Sequence, residues 1–98
     1  MMIYKERKEN ALTVTLEGRL DTTTAPALEN TLKESLPGVC ELTLDFAELE
    51  YISSAGLRVL LAAQKIMNKQ GRMKVTNVNE TIAEIFEVTG FSDILTIE

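Results

Sequence analysis

Two segments of this chain alternate strictly between apolar and polar residues, and this alternation constrains the fold more than any other feature. The segments are residues 11–17 and residues 39–46. Their inward-facing side chains are predicted to be Leu12, Val14 and Leu16 in the first and Cys40, Leu42, Leu44 and Phe46 in the second. Strands of this kind are buried on one face only, so the sheet is expected to carry helices on one face and to leave the other wet.

Turn and cap residues divide the whole chain into an α/β series. Strands are predicted at residues 2–8, 11–17, 39–46, 73–78 and 94–97, and helices at residues 25–36, 55–69 and 80–89. Alternating strands and helices favour parallel strands with right-handed crossovers. We therefore predict the α/β class, with residues 1–98 as a single small domain. Its sheet is mixed and mostly parallel, with about four to five strands and helices on one face.

Composition narrows the classes of function. The net charge is −5 and no basic cluster occurs, which argues against nucleic acid or an anionic membrane as a partner. The N-terminal residues contain no apolar signal core, and no apolar run approaches the roughly 20 residues that span a bilayer. The single cysteine, Cys40, cannot form a disulfide within the chain, which favours a reducing compartment. We expect a cytoplasmic protein without direct membrane insertion.

Few residues are suited to catalysis. The chain has no histidine, so neither a Ser–His nor a Cys–His pair can form. No glycine-rich loop has the spacing that binds phosphate. Asp21, Asp45 and Asp93 match no metal-binding loop and are typical of caps or solvated turns. We therefore predict that the protein is not an enzyme and uses neither a metal nor a cofactor.

The segment from Tyr51 to Asn68 predicts a loop that enters a long helix. Ser53 and Ser54 stand at the entry, and Ser54 is the predicted N-cap, since a serine oxygen can accept a bond from a free backbone N–H of the first turn. At about 100° per residue, one broad apolar face is expected to cover the sheet. Its members are Ala55, Val59, Leu60, Ala62, Ala63, Ile66 and Met67.

Leu57 and Leu61 fall on the polar side of this helix, beside Ser54 and Arg58. Two leucines one turn apart, next to a serine cap, suggest a surface that a partner covers. Isolated surface leucines, or a loop packed over them, explain the pattern equally well. The serine is open to two interpretations that are compatible. It is either only a cap worth about 1 kcal/mol, or also a phosphate acceptor at a helix start that tolerates an anion.

Three motifs, in order along nearly the whole chain, resemble the STAS domain family of bacterial anti-sigma factor antagonists. They are Gly18-Arg-Leu-Asp21 with Thr24-Ala-Pro26, Leu44-Asp-Phe-Ala-Glu-Leu49, and Tyr51-Ile-Ser-Ser-Ala-Gly-Leu-Arg-Val-Leu-Leu. The resemblance implies a small α/β domain that binds an anti-sigma factor, itself a serine kinase, and so releases a sigma factor. Phosphorylation at the start of the second helix would weaken the complex, and a PPM-type phosphatase would restore binding.

The family pattern is Asp-Ser-(Ser or Thr)-Gly-Leu, and its acceptor is the serine that follows the Asp. By position that serine is Ser54. Ser53 stands where the family has the Asp, which makes it the alternative acceptor, and Ala55 replaces the next hydroxyl residue. Asp21 matches a family acidic residue near the partner surface. The predicted partner-binding residues are Asp21, Ser53, Ser54, Leu57, Arg58 and Leu61.

The resemblance leaves a second function open. It extends to free-standing STAS proteins that sit on the cytoplasmic ATPase of an ABC phospholipid transporter. In that class the same helix, with a serine at its start, docks onto the ATPase without a kinase cycle. The alternative prediction is therefore a structural subunit of such a transport complex.

Overall fold

A computed structural model describes every residue from 1 to 98. The elements are β1 (Met2–Lys8), β2 (Ala11–Leu20), α1 (Ala25–Ser35), β3 (Glu41–Ile52), α2 (Ser54–Gln70), β4 (Arg72–Thr76) and α3 (Glu80–Thr89), followed by a 3₁₀ helix at Phe91–Asp93. The sheet order is β1-β2-β3-β4, in which β1 runs antiparallel to β2 and the other pairs are parallel. This confirms the predicted mixed, mostly parallel sheet. No helix is both long and apolar enough to cross a bilayer.

The core lies on one side of the sheet, as the alternation of β2 and β3 predicts. Leu12, Val14 and Leu16 are buried, whereas Thr13 and Glu17 between and after them are exposed. Helices α1, α2 and α3 supply the other half of the core, which contains 24 buried residues. The rings of Phe46 and Phe86, 6.4 Å apart, join β3 to α3. One-sided strands thus produce a sheet with a covered face and a wet face.

Both central strands are longer than the sequence pattern indicates. The pairing of β2 with β3 continues to Leu20 and Ile52 through two register shifts, one of them directly after Gly18. Gly18 has a φ of 108°, a conformation that glycine adopts without a steric penalty. The irregularity breaks the strict alternation, which is why periodicity alone ended β2 too early. The added residues carry both strands to the same edge of the sheet.

Cys40 points outward, so its predicted place among the inward-facing residues is wrong. The strand begins only at Glu41, and Cys40 belongs to the preceding loop, where it is exposed while Val39 is fully buried. The backbone of Cys40 is nevertheless held on both sides. Its N–H donates to the Asn10 carbonyl oxygen at 2.8 Å, and its own carbonyl accepts from the Arg72 N–H at 2.9 Å. The alternation of apolar and polar residues predicts which side chains point inward only for residues that lie within a strand.

The predicted last strand, residues 94–97, is reduced to one parallel bridge between Val75 and Ile97. The backbone N–H of Leu95 donates to the Phe91 carbonyl at 2.8 Å, so the chain is still coiled when it reaches the sheet. Only the residues after Leu95 are free to pair with β4. The described sheet therefore has four strands.

Helix α2 buries most of its predicted apolar face, including Val59, Leu60 and Met67, but the buried face is shifted from the one predicted. Ala62 and Ile66 are exposed, while Leu57 and Gln64 are buried. The full buried set is Gly56, Leu57, Val59, Leu60, Ala63, Gln64 and Met67. The apolar residues of this helix extend around more than half of its circumference. Helical periodicity therefore did not specify which part of the circumference faces the sheet. The face that packs is rotated toward the Leu57 and Gln64 side.

Gln64 is a polar residue inside this packed face. It is 7% exposed; its Nε2 donates to Asn68 Oδ1 at 2.9 Å, and its Oε1 is buried without a partner. A buried acceptor that lacks a donor destabilises a fold.

Gln64→Leu should therefore raise the free energy of unfolding by about 1 kcal/mol in a urea titration, because it removes that acceptor with little change in volume. Lys65→Leu, at the exposed neighbouring position, is the matched control and should change it by less than about 0.5 kcal/mol. A destabilised Gln64→Leu variant would contradict this account.

Candidate functional site

The loops that precede α1 and α2 meet at one edge of the sheet. Leu20 and Ile52, the last residues of β2 and β3, are paired in register. Just beyond them, the backbone N–H of Ser53 donates to the Leu20 carbonyl at 2.9 Å. Because β2 and β3 are parallel, their carboxyl ends emerge together and bring two distant stretches of sequence side by side. The predicted residues Asp21, Ser53 and Ser54 all lie in this region.

The two serines have different roles in the structure. Ser53 is the N-cap of α2: its backbone is extended, and its Oγ accepts a bond from the Gly56 N–H at 3.5 Å. The prediction that Ser54 is the cap is therefore wrong by one residue. Ser54 is the first residue of the helix and is exposed. Its hydroxyl has no part in the cap and faces solvent.

Gly56 lets the start of α2 approach the sheet closely. A Cβ at this position would lie 2.7 Å from Leu20 Cγ and 2.8 Å from Ile52 Cγ1. Both distances are shorter than side chains tolerate without moving. The glycine thereby places Ser53 and Ser54 directly over the ends of β2 and β3. The signal available in the sequence was a glycine inside a helical pattern, which often marks a close packing contact.

Asp21 organises the other loop. Its Oδ1 accepts from the Thr23 hydroxyl at 2.7 Å, from the Thr23 N–H at 3.0 Å and from the Thr24 N–H at 3.2 Å. The Thr23 hydroxyl, aided by the backbone N–H groups of Thr23 and Thr24, lowers the pKa of the Asp21 carboxyl below its ordinary value. Thr24 joins the loop to the strand, since its Oγ1 accepts from the Asp21 N–H and donates to the Arg19 carbonyl, both at 2.8 Å.

The remaining predicted partner residues divide into accessible and buried ones. Arg58 is exposed, and Leu61 is half-buried. Leu57 is 6% exposed and belongs to the core, so its predicted contact with a partner is wrong. The rotation of α2 that turns Gly56 toward the strands also turns Leu57 inward. The surface around Ser54 therefore contains one accessible leucine, not two.

A groove between α1 and α2 begins beside Ser54 and was not predicted. Its upper part, at the N-terminal ends of the two helices, has a volume of about 180 Å³. It is lined by Thr22, Ala25, Pro26, Glu29, Ala55, Arg58 and Val59. A smaller part continues along the helices past Leu32, Ala62 and Ile66. The alanines at 55 and 62 are too small to fill the space between the helices. Small residues on the predicted apolar face were the available signal, but only the packing shows that they face α1 and not the sheet.

Arg19 and Tyr51 form a contact between β2 and β3 that the sequence patterns did not predict. The guanidinium carbon of Arg19 lies 4.6 Å from the centre of the Tyr51 ring, and the two residues are paired across β2 and β3. A cation over an aromatic ring at this distance is attractive. The pair lies one residue before Leu20 and Ile52, so it stiffens the strand ends that carry both loops.

Substituting Gly56 tests the close approach of α2 to the strands. Gly56→Ala should lower the free energy of unfolding by about 1–2 kcal/mol, although alanine is the better helix former, because the added methyl overlaps Leu20 and Ile52. Chemical denaturation measures the change. Ser54→Ala, in the same turn but facing solvent, is the control and should shift it by less than about 0.5 kcal/mol. An unchanged or raised stability of Gly56→Ala would refute the proposed packing.

The bonds to Asp21 predict a measurable titration. Thr23→Val should raise the pKa of Asp21 toward 3.8, the ordinary value, whereas Thr22→Val should not, because the Thr22 side chain donates no bond to Asp21. An NMR titration of the Asp21 carboxyl carbon measures both. Since the folded-state pKa is lowered, this carboxylate stabilises the fold above about pH 3.8 and the contribution is lost as pH falls through the folded value. Equal pKa values in the two variants would disprove the role of the Thr23 hydroxyl.

Comparison with known proteins places this geometry in a family. A family model described as "Mlab, STAS domain" matches residues 3–96. The chain is 30% identical over 93 residues to the anti-sigma-B factor antagonist of Bacillus subtilis, covering 94% of this chain and 85% of that protein. It is 32% identical over 99 residues to the putative anti-sigma factor antagonist BtrV of Bordetella bronchiseptica, covering 99% of this chain and 85% of the other.

Solved structures agree with the fold. The chain superposes on the anti-sigma factor antagonist SpoIIAA in its unphosphorylated form with a TM-score of 0.79 at 17% identity, covering 99% of this chain and 87% of that one. For the Bacillus cell fate determinant SpoIIAA in its phosphorylated form the TM-score is 0.77 at 17% identity, with 99% and 91% covered. At this identity the likeness establishes the fold alone. The family model and the full-length relatives carry the assignment: the chain belongs to the STAS domain family, among its anti-sigma factor antagonists.

Proposed function

We propose that this protein is an anti-sigma factor antagonist controlled by phosphorylation of Ser54. The unmodified chain binds an anti-sigma factor that is also a serine kinase, and a sigma factor is thereby released to permit transcription. Phosphorylation weakens the complex, and a PPM-type phosphatase restores it. The protein acts by binding and not by catalysis, in the cytoplasm, where the sigma factor works. Full-length relatives that carry the name anti-sigma factor antagonist support this function.

The observation that carries the proposal is that Ser53 caps α2, whereas Ser54 is exposed and takes no part in the cap. Ser54 is exposed at the start of α2, and its hydroxyl is free for an attack on the γ-phosphate of ATP. Ser53 is half-buried, and its Oγ accepts the Gly56 N–H. Phosphorylation of Ser53 would disturb a cap worth about 1 kcal/mol, whereas phosphorylation of Ser54 leaves the cap intact. This favours Ser54 over the alternative acceptor Ser53.

The electrostatics of the modification explain why it would weaken a complex. A phosphoserine carries about −1.5 to −2 charges, and burying such an anion without a matching cation is costly. The partner surface proposed here consists of Ser54, Arg58, half-buried Leu61 and the upper end of the groove between α1 and α2. Bonds of Asp21 and Ser53 hold the two loops beside this surface in place. A phosphate on Ser54 would stand inside the contact while the fold remains unchanged.

Binding to the cognate anti-sigma factor tests the switch. Ser54→Asp should fold normally and bind at least about tenfold more weakly, a loss of roughly 1.4 kcal/mol, because it places a charge inside the contact. Ser54→Ala should bind like the wild type but accept no phosphate from the kinase and ATP. Titration calorimetry and peptide mass spectrometry measure the two properties. Ser92→Asp, an exposed serine outside the site, controls for added charge and should bind normally.

Two results would contradict this function. Equal binding by Ser54→Asp and Ser54→Ala would leave the serine without a regulatory role. Copurification of an ABC ATPase from the native lysate, in place of a kinase, would support the alternative of a subunit in a phospholipid-transport complex. Phosphate found on Ser53 and not on Ser54 would reassign the acceptor while keeping the function.

A further inference from the structure

We propose that Arg58 is the intramolecular counter-ion of phosphorylated Ser54. This inference rests on the proposed phosphorylation of Ser54 and goes beyond it, because it names the side chain of this protein that holds the phosphoryl group. In the unmodified protein the Arg58 guanidinium is available to a partner. In the phosphorylated protein it folds back along the helix and binds the phosphate oxygens.

The geometry of α2 brings the two side chains together. Ser54 and Arg58 lie one helical turn apart, and both are exposed. Side chains at this spacing have Cβ atoms about 5–6 Å apart, within reach of a long arginine. An acidic group that precedes a basic one by a turn is the favourable order on a helix. The planar guanidinium can also donate two parallel N–H bonds to one phosphate, which a lysine cannot.

The charge of Arg58 is not engaged elsewhere. The ion pairs of the molecule are Glu29 with Lys33, Glu41 with Arg72, and Glu98 with Lys74. Arg58 belongs to none of them. The first turn of α2 contains no acidic residue that could compete for it. A phosphate on Ser54 would therefore be the first anion on this helix within reach of Arg58.

Acidic side chains on the neighbouring elements make other contacts and no ion pair with Arg58. Glu29, which lines the groove together with Arg58, lies 3.8 Å from the Lys33 amino group. The Oδ1 of Asp21, in the adjoining loop, accepts three short bonds from Thr23 and Thr24. Neither carboxylate forms an ion pair with Arg58 in the unmodified protein, so the guanidinium can turn to the phosphate without breaking an existing ion pair.

One arginine does not neutralise a phosphate of about −1.5 to −2 charges, so the phosphorylated site keeps a net negative charge that is costly to bury. The contact also changes the charge at the partner surface at two points. Phosphorylation adds an anion at Ser54 and at the same time removes a free cation at Arg58. A carboxylate of a partner that pairs with Arg58 in the unmodified complex would lose its counter-ion and meet a phosphate. The single modification thus replaces an attractive group with a repulsive one across one turn of helix.

The test installs the phosphate without a kinase. The chain is made with phosphoserine incorporated at position 54 during translation, and the second pKa of the phosphate is followed by ³¹P NMR. Arg58 favours the dianion, so this pKa should be lower by about 0.2–0.4 in the wild-type background than in Arg58→Gln. Arg58→Lys should retain part of the lowering. Lys65→Gln, exposed further along α2, is the matched control and should leave the pKa unchanged.

Each outcome decides the inference. Equal pKa values in the wild-type background and in Arg58→Gln would overturn it, and so would an equal rise in Lys65→Gln, which would indicate only a change in net charge. Backbone NMR shifts establish that each variant is folded. Failure of the proposed function would have a different signature: the kinase would not modify Ser54, whereas this measurement would still show the contact with Arg58.

Discussion

The close contact between the start of α2 and the ends of β2 and β3 determines the rest of this structure. It depends on the absence of a side chain at Gly56, which allows the helix to rest on Leu20 and Ile52. A backbone bond from the Ser53 N–H to the Leu20 carbonyl fixes the same junction from the loop side. Close packing of this kind tolerates little displacement. The orientation of α2, the groove beside α1 and the exposure of Ser54 are all consequences of it.

Stability and regulation are assigned to different residues at this junction. Ser53 and the Asp21 loop supply bonds that the fold needs, and they are partly withdrawn from solvent. Ser54 and Arg58 contribute no such bonds and remain exposed. A charge can therefore be added at Ser54 without disturbing the cap or the strand ends. A switch arranged in this way alters a binding surface and not the fold beneath it.

Sequence patterns predicted the framework of the fold because they report local physics. The alternation within residues 11–17 and 41–46 and the starts of α1 and α3 are all found where the pattern placed them. The patterns were wrong where a residue's environment depended on distant segments. Cys40 lies in a loop whose backbone is hydrogen-bonded to Asn10 and Arg72. Leu57 faces the core because the close packing of Gly56 on the strand ends fixes the rotation of α2.

The amino-acid sequence by itself determined the class of fold, the order of its elements, the presence of hydroxyl residues at the start of α2 and the resemblance to a family. These features follow from periodicity, caps and motifs, which act over a few residues. Only the tertiary structure decided which serine caps the helix, which leucine is accessible and where a groove opens. Those answers depend on the rotation of α2 about its own axis. That rotation is set by Ile52 at the end of β3, directly before the helix, and by Leu20 of β2, which is distant in the sequence.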